Sequence, residues 1–116
     1  MTNPQIDAIA QTLLTARRNH TPADASPFEG QLKSVAEALA VQDIILAALA
    51  PQQTPISRHW KSGGPSRTDE ILNTALLESG IWKSPAQAGA HPFTLRLIEI
   101  EIGFKTNQAV TPAQAL

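Results

Sequence analysis

The stretch SVAEALAVQDIILAALAP, from Ser34 to Pro51, leaves the first half of this chain little conformational choice. Ser34 and Glu37 stand in capping-box spacing, in which a hydroxyl and a carboxylate satisfy backbone N–H groups that a helix start leaves bare. Val35, Leu39, Leu46 and Leu49 recur at helical spacing, and Pro51 cannot continue the hydrogen-bond ladder, so a helix is predicted over 34–49. With 116 residues, 42% of them hydrophobic, the chain can form one modest core, which implies one domain or part of one.

Other elements follow from the same rules. Asn3 can cap, Pro4 suits the first helical position, and Ile6, Ile9, Leu13 and Ala16 recur at helical spacing. Arg17 and Arg18 fall near the negative end of the helix dipole, so another helix is predicted over 4–18. HTPADASPFEG, residues 20–30, reads as a connecting loop or short irregular turn. Beyond Pro51, prolines and a Gly pair punctuate the chain, and Ile56 to Lys61 is expected to be a short extended segment leading into a tight turn at 56–66. A loop of this kind can hold functional groups. Thr68 can cap a third helix over 69–79, which Gly80 would end in the left-handed conformation. The tripeptide Trp-Lys-Ser occurs at Trp60 and again at Trp82, but the flanks differ and no repeat results.

Composition removes several classes of function. Nine Lys and Arg against ten Asp and Glu leave a formal charge of -1, and no basic run exists to track a phosphate backbone, so nucleic acid is not an expected partner. The absence of Cys excludes disulfides, thiolate metal ligands and a cysteine nucleophile. No basic stretch followed by an apolar one opens the chain, and IILAALAP is far too short to span a bilayer. A cytoplasmic protein without a membrane partner is the expectation. His20, His59 and His91 lack metal-site spacing, and Ser62 and Ser66 lie near His59 without an acid that the sequence places beside them.

LRLIEIEIGFK, residues 95–105, puts two carboxylates one residue apart in an apolar run. A strand is predicted over 94–105, sending Arg96, Ile98, Ile100, Ile102 and Phe104 to a buried face. Leu95, Leu97, Glu99, Glu101 and Gly103 fall on the other. Glutamates two apart lean to the same side, roughly 7 Å apart at the backbone. They form either a solvated strand face or half of a site for one hard cation.

The helix AEALAVQDI, the turn HWKSGG and the strand IEIEIGF come in an order and spacing that resembles the 2-keto-4-pentenoate hydratase family, which includes 4-oxalocrotonate decarboxylases and lies in the fumarylacetoacetate hydrolase superfamily. The most specific part is Glu-x-Glu in a strand preceded by Trp-Lys-x-Gly. The resemblance implies a metal-dependent hydratase, a lyase acting on 2-hydroxypenta-2,4-dienoate-type 2-oxo acids from aromatic ring degradation. It implies that Glu99 and Glu101 are ligands of Mg²⁺ or Mn²⁺ and that Lys61 lines the pocket as a catalytic cation or proton carrier. The expected fold class is α+β: N-terminal helices, then the first strands of a mixed β-fold, apparently truncated.

The family's third carboxylate ligand lies downstream of its Glu-x-Glu strand, past the position of Leu116, and Gly64 departs from the family's lysine turn. VTPAQAL, with Thr111 and Pro112 as a helix start, stops after about one turn, which by itself is too short to be stable. Residues 1–116 are therefore expected to be the N-terminal portion of a hydratase-like domain. Such a portion leaves apolar surface that invites self-association or a partner subunit. The alternative reading is a noncatalytic accessory or assembly module of the same fold.

Overall fold

Asn3 opens the first helix, as its position implies: its side chain accepts a hydrogen bond from the Gln5 backbone N–H at 3.1 Å, and Pro4 follows at the first helical position. In the computed structural model, which describes residues 3–52, 58–64, 66–108 and 111, this helix, α1, runs Pro4–Asn19. His20 leaves it in the left-handed region at φ 52°. The N–H groups of His20 and Thr21 return to the carbonyls of Arg17 and Ala16, the double closure that satisfies orphan acceptors at a helix end. Thr12 and Thr15 turn their hydroxyls back onto the carbonyls of Ala8 and Gln11.

The second helix, α2, spans Val35–Leu49. Ser34 Oγ accepts from the Glu37 N–H at 3.2 Å, and the Glu37 carboxylate reaches back to the N–H of Lys33, one residue earlier than an ideal capping box would place it. The linker between the helices contains a short 3₁₀ turn, Ser26–Phe28. Asp24 accepts from both the side chain and the backbone of Ser26, which lowers its carboxyl below the ordinary value. Gly30, at φ 66°, occupies a backbone region that L side chains seldom adopt.

The core lies where α1 meets α2. Ile9, Ala10 and Val41 are buried there, with Ile6, Phe28, Leu32, Ile44 and Ile45 packed around them. The buried stripe of α1 is rotated from the expected one: Leu14 is 1% exposed, while Leu13 is 41% exposed. Leu39, Leu46 and Leu49 are only half-buried, and Val41 takes the centre of α2. Both helices carry enough apolar residues that either of two adjacent stripes could serve, and the contact between them selects one.

Two strands follow, β1 (His59–Gly63) and β2 (Leu72–Leu76), paired antiparallel with Lys61 opposite Thr74 and Trp60 opposite Ala75. The Thr74 hydroxyl donates to Gln42 Oε1 at 3.1 Å, tying the sheet to α2, and Ala75 is buried. The expected extended segment ending at Lys61 is thus a strand from His59 onward. The α+β class holds, with two helices and a two-stranded sheet among the described residues.

Two expectations are corrected. Residues 69–79 do not form a helix: β2 occupies their middle, and Thr68 caps nothing helical. Ser66 instead bonds Thr68 and Asp69, the latter at 2.6 Å, and so shapes the turn. A helix of that length is marginal alone and includes Asn73 and Thr74, both weak helix formers. Pairing with β1 satisfies the same backbone groups and adds a hydrogen bond from Ser62 to Asn73 at 2.6 Å. Gly80 closes a 3₁₀ turn, Glu78–Gly80, without a positive φ.

The second correction concerns 94–105, which forms no strand ladder. Ile98, Ile100, Ile102 and Phe104 are exposed, Ile100 at 99%, where burial was expected. Alternation states which face a sheet would bury, but a ladder also needs a partner edge, and β1 and β2 pair only with each other among the described residues. Residues 56, 57 and 65 of the lysine turn, and the short helix expected after Thr111, lie outside the described residues.

Candidate functional site

Lys61 sits at the middle of β1, where pairing with Thr74 fixes its backbone and the strand's pleat aims its side chain. Its ammonium donates to the Glu99 carboxylate and lies 2.9 Å from Glu101 Oε1. The three residues singled out in the sequence therefore meet at one point, although 38 positions separate Lys61 from Glu99. Glu99 and Glu101 reach the ammonium together because residues two apart on an extended backbone lean the same way.

Charge explains what the cluster does to its members. The hydrogen bonds that Lys61 donates to Glu99 and then to Glu101 raise its pKa well above the ordinary value, and Lys61 in turn holds the Glu99 carboxyl below its own. With its value raised, Lys61 is a cation at neutral pH. All three side chains are roughly half exposed, so salt screens their attraction.

The cluster also acts as a tether, holding 99–101 against β1. A raised Lys61 value contributes below 10.5, and a lowered Glu99 value contributes above 4.5. The tether is accordingly complete between those two pH values and is lost as pH falls through the depressed Glu99 value. The Glu99 side-chain carboxyl resonance, followed by NMR, should titrate below the ordinary glutamate value, and in a Lys61→Met variant that depressed step should be absent. The same step in the variant would assign it to another group.

The remaining polar candidates have separate partners. His59 Nδ1 is 3.3 Å from Glu78 Oε1, Ser62 donates to Asn73, and Ser66 donates to Asp69. A Ser-His-acid relay does not form from these bonds. No group of three or more His, Asp or Glu side chains able to hold a metal occurs among the described residues. No described helix is long and apolar enough to cross a membrane.

One feature escaped the sequence reading. Trp82, His91 and Phe93 stack edge to face, with ring centroids 4.9 Å apart for Trp82 and His91 and 4.5 Å for His91 and Phe93, and the Arg96 guanidinium lies 5.0 Å above Phe93. These contacts anchor the start of the 94–105 segment. The available signal is His91-Pro92-Phe93 following a second Trp. Beside it, an open groove runs between the ends of α1, α2 and β2, with Leu13, Ile45, Leu49 and Phe93 in its walls. Lys61, Glu99 and Glu101 do not line it, so the charged cluster and this concave surface are separate. No protein-family model matches the sequence, and no curated protein or solved structure matches it significantly.

Proposed function

We propose that Glu99 and Glu101 are two ligands of a Mg²⁺ or Mn²⁺ site in the front portion of a hydro-lyase resembling 2-keto-4-pentenoate hydratase. In this reading β1 and β2 begin a mixed β-fold, and the substrate is a short 2-hydroxy-dienoic or 2-oxo acid. The observation that supports it is the convergence of both carboxylates on a single cation, the Lys61 ammonium. Hard anionic oxygens brought to one point are the donor set such an ion takes, with water and substrate oxygens completing its shell. When bound, the ion would supply electrostatic stabilisation to the enolate oxygen that develops as water adds. Glu99 and Glu101 hold charge at a fixed place, and Lys61, kept protonated, offers a cation to the substrate carboxylate.

Ammonium and divalent ion compete for the same oxygens, and that competition makes the proposal testable. Mn²⁺ titration followed by water-proton relaxation should show weak binding to the native chain and none to a Glu99→Gln, Glu101→Gln variant. Lys61→Met should bind several-fold more tightly, since a positive charge within about 4 Å is removed. Equal binding by the native chain and the double variant ends the metal reading.

The noncatalytic reading, an accessory or assembly module, is favoured by a different observation: the bare apolar series Ile98, Ile100, Ile102 and Phe104. Absence of Mn²⁺ binding together with specific association would support it.

A further inference from the structure

Residues 96–106 form no backbone–backbone hydrogen bond among the described residues. From Ile98 to Lys105 the side chains nevertheless alternate, with apolar groups at 98, 100, 102 and 104 and Glu99, Glu101, Gly103 and Lys105 at the odd positions. Both edges of such a segment present unpaired N–H and C=O groups, the condition under which a chain accepts another strand. The question is which strand fits.

A second copy of the same segment fits in one antiparallel register. With Ile102 on the two-fold axis, Ile102 faces Ile102, Ile100 faces Phe104, and Ile98 faces Thr106. On the opposite face Glu99 meets the partner's Lys105, and Glu101 meets the partner's Gly103. The glycine has open space around it and adds no side chain to obstruct the Glu101 bond to Lys61. Lys105 makes no ion pair among the described residues. The charges then close: Glu99, Glu101 and Lys61 sum to -1, and one Lys105 from the partner brings the group to zero.

Other registers do worse. Centring the pair on Ile100 sets Glu99 against the partner's Glu101, and centring it on Glu101 sets two glutamates face to face. A shift by one residue sends isoleucines to the side of the glutamates. Centring on Gly103 also joins Glu101 to Lys105, but it replaces the Ile102 pair with two glycines and turns Ile100 toward Thr106.

We infer that residues 97–107 of two chains pair as antiparallel strands about Ile102, making this segment a homodimerisation strand with Glu99–Lys105 as its register lock. The inference does not rest on the metal reading: its readout is mass and cross-linking, whereas that reading is tested by ion binding.

The chain has no cysteine, so a single introduced one reports on a single position. Residues facing each other across an antiparallel pair have Cα atoms about 4.5–5.5 Å apart, inside the range a disulfide spans. Under mild oxidation Ile102→Cys should convert to a covalent dimer of twice 12.4 kDa, while Ile100→Cys stays largely monomeric. By sedimentation, Lys105→Glu should weaken dimerisation on the order of tenfold, as two symmetric attractions become repulsions. Glu99→Lys combined with Lys105→Glu should restore it. A native chain that remains monomeric up to about 1 mM, preferential cross-linking through Ile100→Cys, or failure of the charge swap to restore association would each overturn the inference.

Discussion

Leu14→Ala should lower the stability of the chain by about 2–5 kcal/mol, while Leu13→Ala, one residue earlier, should cost well under half as much. Leu14 is 1% exposed and Leu13 41% exposed, so the two changes remove the same atoms from very different surroundings. Truncating Leu14 loses its transfer free energy and leaves a cavity at a fully buried position of α1. Leu13 already meets water. Urea unfolding followed by circular dichroism at 222 nm measures both, and equal costs would mean that α1 buries the other stripe. The magnitude matters because small domains have only about 5–15 kcal/mol in total, so the Leu14 variant should lose a large share of its stability and unfold at a much lower urea concentration.

Ala75→Asp should cost about 2–5 kcal/mol, because it places a carboxylate at the buried position of β2. Ala75 is 6% exposed and stands opposite Trp60. Asn73→Asp is the control. Position 73 is exposed, and an aspartate there can still accept the hydrogen bond from Ser62, so its effect should fall within about 0.5 kcal/mol. Limited proteolysis gives a second readout: the aspartate at 75 should open 64–71 and 77–81 to cleavage together, since the antiparallel pair forms or fails as a unit. If the two aspartate variants prove equally stable, β2 is not packed where the structure puts it.

The caps were legible because they are local. Asn3, Ser34 and Pro51 act on backbone groups within four residues, and no distant part of the chain can supply what they supply. The same holds for the pairing of Glu99 with Glu101, since two side chains two apart share a side of any extended backbone. The choice of Lys61 came from a resemblance to a family, and the ion pairs to both carboxylates are a separate observation.

The apolar positions of residues 69–79 satisfy a helix and a strand alike, and periodicity over so short a span does not separate them. A helix would close its backbone hydrogen bonds within the segment, whereas a strand must find them in a neighbour. The partner is β1, and the hydrogen bond from Thr74 to Gln42 of α2 adds a second constraint from outside the segment. The opposite error occurred at 94–105, where alternation was strong and no ladder formed among the described residues.

The sequence alone determined where the two helices begin and end, and that Glu99 and Glu101 project together. Each depends on interactions spanning a few residues, whose energies are decided before the chain folds. Only the tertiary structure decided that Leu14 rather than Leu13 enters the core, that 72–76 is a strand, and that Lys61 closes on the glutamates while the neighbouring isoleucines remain exposed. Those outcomes depend on which surfaces find a partner, and a partner is a property of the whole chain, or of two chains, rather than of any window along it.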